Sequence, residues 1–263
     1  MDTPAENLVL KDLKDGVLTI TLNQPEKRNP LSEAMLNELI KAFNFAKSNQ
    51  ETKVVVLTGA GDKAFCAGAD LSSFDPNQSE LERHLARSTF VELFLLMANL
   101  GKPIIGRING HALAGGLGLA VSCDILVAAE HATFGTPEIK LGLWPMMIQA
   151  ILVRNLPRKA LMEMILLGER ISAEQAKAIG LVNYVVPYEH LDAKVNEVAS
   201  KLSKYSPLIM MLGRQSFYNT QDMTFEQALR YLQDQLSFVS MSEDAKEGII
   251  AFFEKREPHF KGK

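Results

Sequence analysis

Leu18, Ile20 and Leu22 recur at every second position from Gly16 to Leu22, a period that predicts a strand with one buried face. Ser32 then stands where a helix N-cap belongs, ahead of Leu36, Leu39, Ile40 and Phe43 at helical spacing. Three runs over residues 53–58, 103–108 and 124–128 are nearly continuous apolar stretches rich in branched side chains, as expected for strands covered on both faces. Helical patterns lie between them, so the order predicts an α/β fold with parallel crossovers. Beyond about Pro157 the signals become mainly helical. Ser172 is placed to cap Ala173–Ala178, Gly180 is a stop, and amphipathic patterns cover residues 191–202 and 225–239. Residues 74–79 and 184–189 read as exposed connections. No internal repeat or low-complexity stretch interrupts the order.

Composition narrows the class without naming a chemistry. A length of 263 residues fits one large domain, or a domain with an appendage, better than two independent folds. A net charge of −3 gives no reason to expect nucleic acid or an anionic membrane as the main partner. Cys66 and Cys123 sit among apolar residues without metal-ligand spacing, which predicts buried reduced thiols, no metal, and a reducing cytoplasmic setting. Residues 1–10 carry Asp2 and Glu6 and lack both a secretory pattern and an arginine-rich transit pattern. The most apolar stretch, 90–100, is interrupted by Glu92 and Asn99, too short a run to predict a membrane span.

Residues 59–64 formally match the glycine fingerprint of dinucleotide-binding proteins. That fingerprint requires a helix to open directly after the glycines, and here residues 65–70 continue as loop, which argues against a nicotinamide enzyme. Two strand exits instead carry small residues: Cys66-Ala67-Gly68-Ala69-Asp70-Leu71, and the segment from Asn109 through Gly118. Small side chains admit another group close to the backbone, and a helix beginning near Gly115 aims free N–H groups at the crevice beyond the strand ends. An oxygen gaining negative charge is the expected guest.

The strings 64–71, 109–112 with 123–125, and 134–143, together with Asn23-Gln24-Pro25, Arg28-Asn29 and 253–256, closely resemble the crotonase family of enoyl-coenzyme A hydratases and isomerases, nearly end to end. The resemblance implies a crotonase-like spiral of repeated ββα units over residues 1–200 and a C-terminal helical region over 201–263 used in forming a homotrimer or a hexamer. It implies an acyl-coenzyme A thioester as substrate, with coenzyme A entering as part of that substrate and no covalently bound cofactor. By the same resemblance the N–H groups of Ala69 and Gly115 form an oxyanion hole, and Glu138 is the catalytic acid–base. Ala67, Gly68, Asp70, Leu71 and Trp144 would contact the substrate, and Lys27, Arg28 and Lys255 would meet the coenzyme A phosphates.

Glu138 follows Pro137, and a glutamate in that position is ordinarily a solvated turn residue or a helix start. The resemblance reverses that reading. Leu141, Leu143, Trp144, Met146 and Met147 are expected to supply the apolar surroundings that raise its pKa. Standard hydratases of the family have a second glutamate three residues beyond the oxyanion glycine, where this chain has Gly118. Two carboxylates can hold and activate water, whereas moving a double bond needs one. Hydration of a 2-enoyl thioester is the first expectation, and isomerisation of a 3-enoyl thioester by Glu138 alone is the second. Acyl-coenzyme A binding without catalysis is the third. A Gly118→Glu variant that gained hydration would show which carboxylate is missing. His111 reads as a loop-packing residue, Asp124 as structural, and Asp70 as a cap for the chain that follows it.

Overall fold

A computed structural model describes residues 7–70 and 78–263. Leu71 and residues 74–77 of one expected connection lie outside the described residues, as does the chain that Asp70 was expected to cap. The large sheet contains β1 (Val9–Lys14), β2 (Val17–Leu22), β3 (Val54–Gly59), β5 (Ile104–Ile108), β7 (Ile125–Ala129) and β10 (Tyr184–Val186), in that order. It is parallel except for the β1–β2 hairpin. The small sheet contains β4 (Ala64–Cys66), β6 (His111–Leu113), β8 (Thr133–Gly135) and β9 (Ile171–Ser172), with only β9 antiparallel.

Chain order explains the architecture. β3 joins the large sheet, β4 the small one, and α2 (Glu80–Ala98) follows; β5, β6 and α3 (Gly115–Val121) repeat the step, and β7, β8 and α4 (Met146–Asn155) repeat it again. This is the expected spiral of ββα units. β3 is buried at every position because its alternate side chains enter two cores. Val55 and Leu57 face the main core with α1 (Glu33–Ser48), while Val54 and Val56 face Leu191, Val195 and Val198 of α7 (Leu191–Ser203). Ser32 caps α1 by accepting from Met35 N, and Ser172 caps α6 (Ala173–Ala178) in the same way through Gln175 N.

Tyr184–Val186 corrects one expectation. Read as part of an exposed connection, it instead pairs in parallel with Val127–Ala129, because Val185 and Val186 suit an edge of the large sheet that turn signals alone do not disclose.

The C-terminal helices α8 (Pro207–Thr220), α9 (Phe225–Met241) and α10 (Glu243–Glu254) form a helical layer. Arg214 of α8 ties it to the core, with Nε 2.9 Å from Asp124 and its other nitrogens donating to the Met97 and Ala98 carbonyls that end α2. Asp124 also accepts from Ile104 N at 2.7 Å, so it is structural as expected. Among the described residues no helix is long and apolar enough to cross a membrane.

Candidate active site

β4, β6 and β8 run parallel and end at Cys66, Leu113 and Gly135, so the segments that follow leave the small sheet from one edge. Those segments carry Ala69, Gly115 and Glu138. The carboxyl ends of parallel strands are where α/β folds place ligands, because the chain must turn there and release its backbone groups.

Ala69 is held by a single parallel bridge to Leu31. Leu31 N donates to Gly68 O at 2.8 Å and Leu31 O accepts from Asp70 N at 3.3 Å. This pattern satisfies the residues on either side of Ala69 and turns the Ala69 N–H away from Leu31. Gly115 is the first residue of α3, where an N–H has no partner within the helix. The two groups are neighbours: a Cβ added to Gly115 would lie 3.8 Å from Ala69 N.

The close approach depends on missing side chains. Gly68 has φ +99°, and a Cβ there would meet Ala114 Cβ at 2.8 Å and Leu113 O at 3.0 Å. Gly116 packs so tightly that its Cβ would stand 2.8 Å from the Cys66 carbonyl carbon. Ala114 itself adopts φ 52° and ψ −129°, an uncommon conformation for a residue with a side chain, and its N–H is fixed to Gly135 O at 2.9 Å.

Two fully buried asparagines fix the approach to the first loop. Asn29 Nδ2 donates to Ala60 O and Ala64 O, and Asn109 Nδ2 donates to Gly61 O while its Oδ1 accepts from Gly59 N. Strand β4, not a helix, opens after Gly61, in keeping with the rejected dinucleotide motif. Arg28 O accepts from Ala67 N at 3.0 Å, which seats the 25–29 turn beside the first loop and leaves the Lys27 and Arg28 side chains exposed there.

Glu138 lies in a short 3-10 turn, Pro137–Leu141, three residues after the strand that pairs with β6. Its Oε2 is buried and has no hydrogen-bond partner among the described residues. Burial holds the carboxyl above its ordinary range, opposed by the residue's own backbone N–H. The expected source of that burial needs correction. Leu141, Leu143 and Met146 are exposed, because the turn ends at Gly142 in a left-handed conformation and directs this stretch outward. Trp144 packs against the main core, and its Nε1 donates to Gln149. It lines a separate cavity of about 380 Å³ with Gln149, Val153 and Leu161.

Gly118 departs further from the expected picture. An added Cβ would lie 2.8 Å from Ile148 Cβ and 3.4 Å from Phe94 Cζ, with Ile148 Cγ2 nearer still. A lone glutamate does not fit there, so Gly118→Glu by itself cannot serve as a test of the missing carboxylate. Phe90, one turn before Phe94 on α2, stands 3.6 Å from the same construction at Gly115. Sequence reasoning missed Leu31, Phe90, Phe94 and Ile148 as neighbours of the site. The i, i+4 spacing of the two phenylalanines was the available signal.

The remaining residues lie elsewhere. Lys255 ends α10 on the exposed surface, and no described contact joins it to the loops. His111 Nδ1 lies 2.8 Å from Thr133 Oγ1, and the ring borders a polar hollow of about 510 Å³ with Arg28, Lys63 and His131. Both cysteines are free and buried, and burial pushes the Cys66 thiol up to about 12, leaving it without nucleophilic character.

The spiral of ββα units and the paired glycine loops define a crotonase-type enzyme. The chain belongs to the enoyl-CoA hydratase/isomerase family, whose model matches residues 12–263. It is 36% identical to the 2,3-dehydroadipyl-CoA hydratase of Escherichia coli K12, over 94% of this chain and 96% of that one. It is 34% identical to the (E)-benzylidenesuccinyl-CoA hydratase of Thauera aromatica, over 97% and 99% of the two chains. An enoyl-CoA hydratase from Mycobacterium smegmatis superposes with a TM-score of 0.93 at 36% identity, covering 96% of this chain and 98% of the other. These relatives support enoyl-CoA hydratase activity.

Proposed function

We propose that the protein hydrates 2-enoyl-CoA thioesters, using the Ala69 and Gly115 N–H groups as an oxyanion hole and Glu138 as the acid–base group. The observation that carries this reading is the buried Oε2 of Glu138, without a hydrogen-bond partner among the described residues, beyond the strand edge from which both loops emerge. A desolvated carboxylate with a raised pKa is a stronger base than an ordinary one and so a better acceptor for the proton of water. Glu138 takes a proton from water as the water oxygen bonds to the β-carbon, and the displaced π electrons reach the thioester oxygen at the two N–H groups. The enolate then collapses, the carboxylic acid returns that proton to the α-carbon, and a 3-hydroxyacyl thioester results. The donors act because they meet more charge in the enolate than in the ground state.

Isomerisation of a 3-enoyl thioester is the second reading. The apolar closure at Gly118 favours it, since one base can move a proton between carbons without holding water. In either case the coenzyme A moiety would run past Ala67, Gly68 and Asp70, with Lys27 and Arg28 near its phosphates. Lys255 and Trp144 are assigned to substrate on the family resemblance alone.

A homotrimer or a dimer of trimers, assembled through the helical region after residue 200, belongs to the same reading. Phe225, Leu236 and Phe238 of α9 and Phe252 and Phe253 of α10 are each more than half exposed, which supports a covered surface there. The buried reduced thiols fit a cytoplasmic setting.

The test is to incubate the purified protein separately with 2-enoyl and 3-enoyl thioesters of several chain lengths, identify the products, and repeat with Glu138→Gln. A 3-hydroxyacyl product lost in the variant is expected. Its absence at every chain length refutes hydration, and an undiminished variant refutes the assignment of Glu138.

A further inference from the structure

The structure assigns Ile148 a specificity-determining place: it stands where any side chain at position 118 would project, and so keeps a second carboxylate out of that position. The inference rests on the reading of Glu138 as the acid–base group.

Gly118 is buried in the middle of α3, and Ile148 is the third residue of α4. Ile148 is only 4% exposed. The conflict cannot be relieved by rotating a flexible side-chain end, because Ile148 Cβ itself lies 2.8 Å from the position of a Cβ at Gly118. A Cβ moves only with its backbone, and the β-branched side chain is further restricted to few rotamers in a helix. Phe94 closes the remaining side at 3.4 Å.

The contact also connects two parts of the site. Residues 138–148 form one segment, running from the turn with Glu138 through the Trp144-Pro145 corner into α4. The segment that supplies one carboxylate therefore closes the place of the other. The side of the acyl group that faces α3 then meets hydrocarbon from Ile148 and Phe94, with no proton acceptor at position 118. The absence of a carboxylate at position 118 is thus a property of how α3 packs on α4, and reversing it takes two substitutions.

The test is a cycle over both positions. Gly118→Ala adds one methyl group and is expected to lower the melting temperature by about 5 °C or more through overpacking. In an Ile148→Gly background the same change is expected to cost little, since Gly at 148 removes the opposing Cβ. Gly118→Glu with Ile148→Gly is then expected to hydrate a 2-enoyl thioester at least about tenfold faster than Ile148→Gly alone. Its kcat profile should also gain a second ionisation on the acid side, which repacking by itself does not produce.

Gly118→Ala as stable as the parent overturns the inference. A folded, thioester-binding double variant without gain in hydration overturns it as well. Failure of the Glu138 reading registers separately, as undiminished turnover in Glu138→Gln, while the melting-temperature cycle is read without any activity measurement.

Discussion

The loops that carry the Ala69 and Gly115 N–H groups are held from several directions, by the Leu31 bridge, by Asn29 and Asn109, and by the Ala114–Gly135 hydrogen bond. The turn that carries Glu138 runs among side chains such as Leu141, Leu143 and Met146 that face solvent. One side of the site is main chain fixed by a buried polar framework, and the other is a single side chain on an irregular turn. The two tasks differ in the same way. An oxyanion hole gains from donors that need no reorganisation as charge develops, whereas a proton carrier must reach two atoms in succession.

Substitutions separate the two sides. Glu138→Gln is expected to have the largest effect, lowering kcat by about 10³-fold while thioester binding, read by calorimetry, changes little. Ala69→Pro deletes one N–H and should lower kcat by about 10²-fold or more. Circular dichroism must show the parent's fold for that result to count. Asn109→Ala attacks the framework: it removes the partner of Gly59 N and of Gly61 O, while Ala64 O keeps its bond from Asn29, at a cost of about 1–3 kcal/mol, read by chemical denaturation.

The smallest expected effect is a pH dependence of stability. Because burial raises the Glu138 pKa, the folded chain holds that proton more tightly than the unfolded chain does. The residue's contribution to stability is therefore greatest below the ordinary value of 4.5 and declines as pH rises through the folded value. Glu138→Gln should melt above the parent at pH 8 and level with it at pH 4. Equal melting temperatures at pH 8 would contradict the raised pKa. For turnover the sign is opposite, since hydration begins with the ionised carboxylate and kcat/KM should rise with pH over the same interval.

The strands at 17–22, 54–59, 104–108 and 125–129 were legible because covered β-structure leaves a run or alternation of apolar side chains. The three-residue strands β4, β6 and β8, which position the site, are too short to carry a period, and β4 and β6 drew attention through the small-residue loops that follow them. Glu138 was found through resemblance to a family, since an isolated Pro-Glu turn carries no chemical signature. The closure of position 118 was not legible, because Gly118 and Ile148 are thirty positions apart and a missing Cβ leaves no trace in hydropathy. The exposure of Leu141, Leu143 and Met146 was misjudged for a related reason: hydrophobicity gives a preference for burial, while the left-handed turn at Gly142 decides the direction of the chain.

Residues 67–69 and 114–116 read Ala-Gly-Ala and Ala-Gly-Gly. An alanine scan, the usual survey for functional positions, would leave three of these six untouched, and at Gly68 and Gly116 the added methyl group would collide with the facing loop. Such a scan reads the packing of the two loops and passes over the N–H groups assigned to the thioester oxygen. Those groups would answer to perturbations of the main chain, such as proline at 69 or an ester bond in place of the amide at 115.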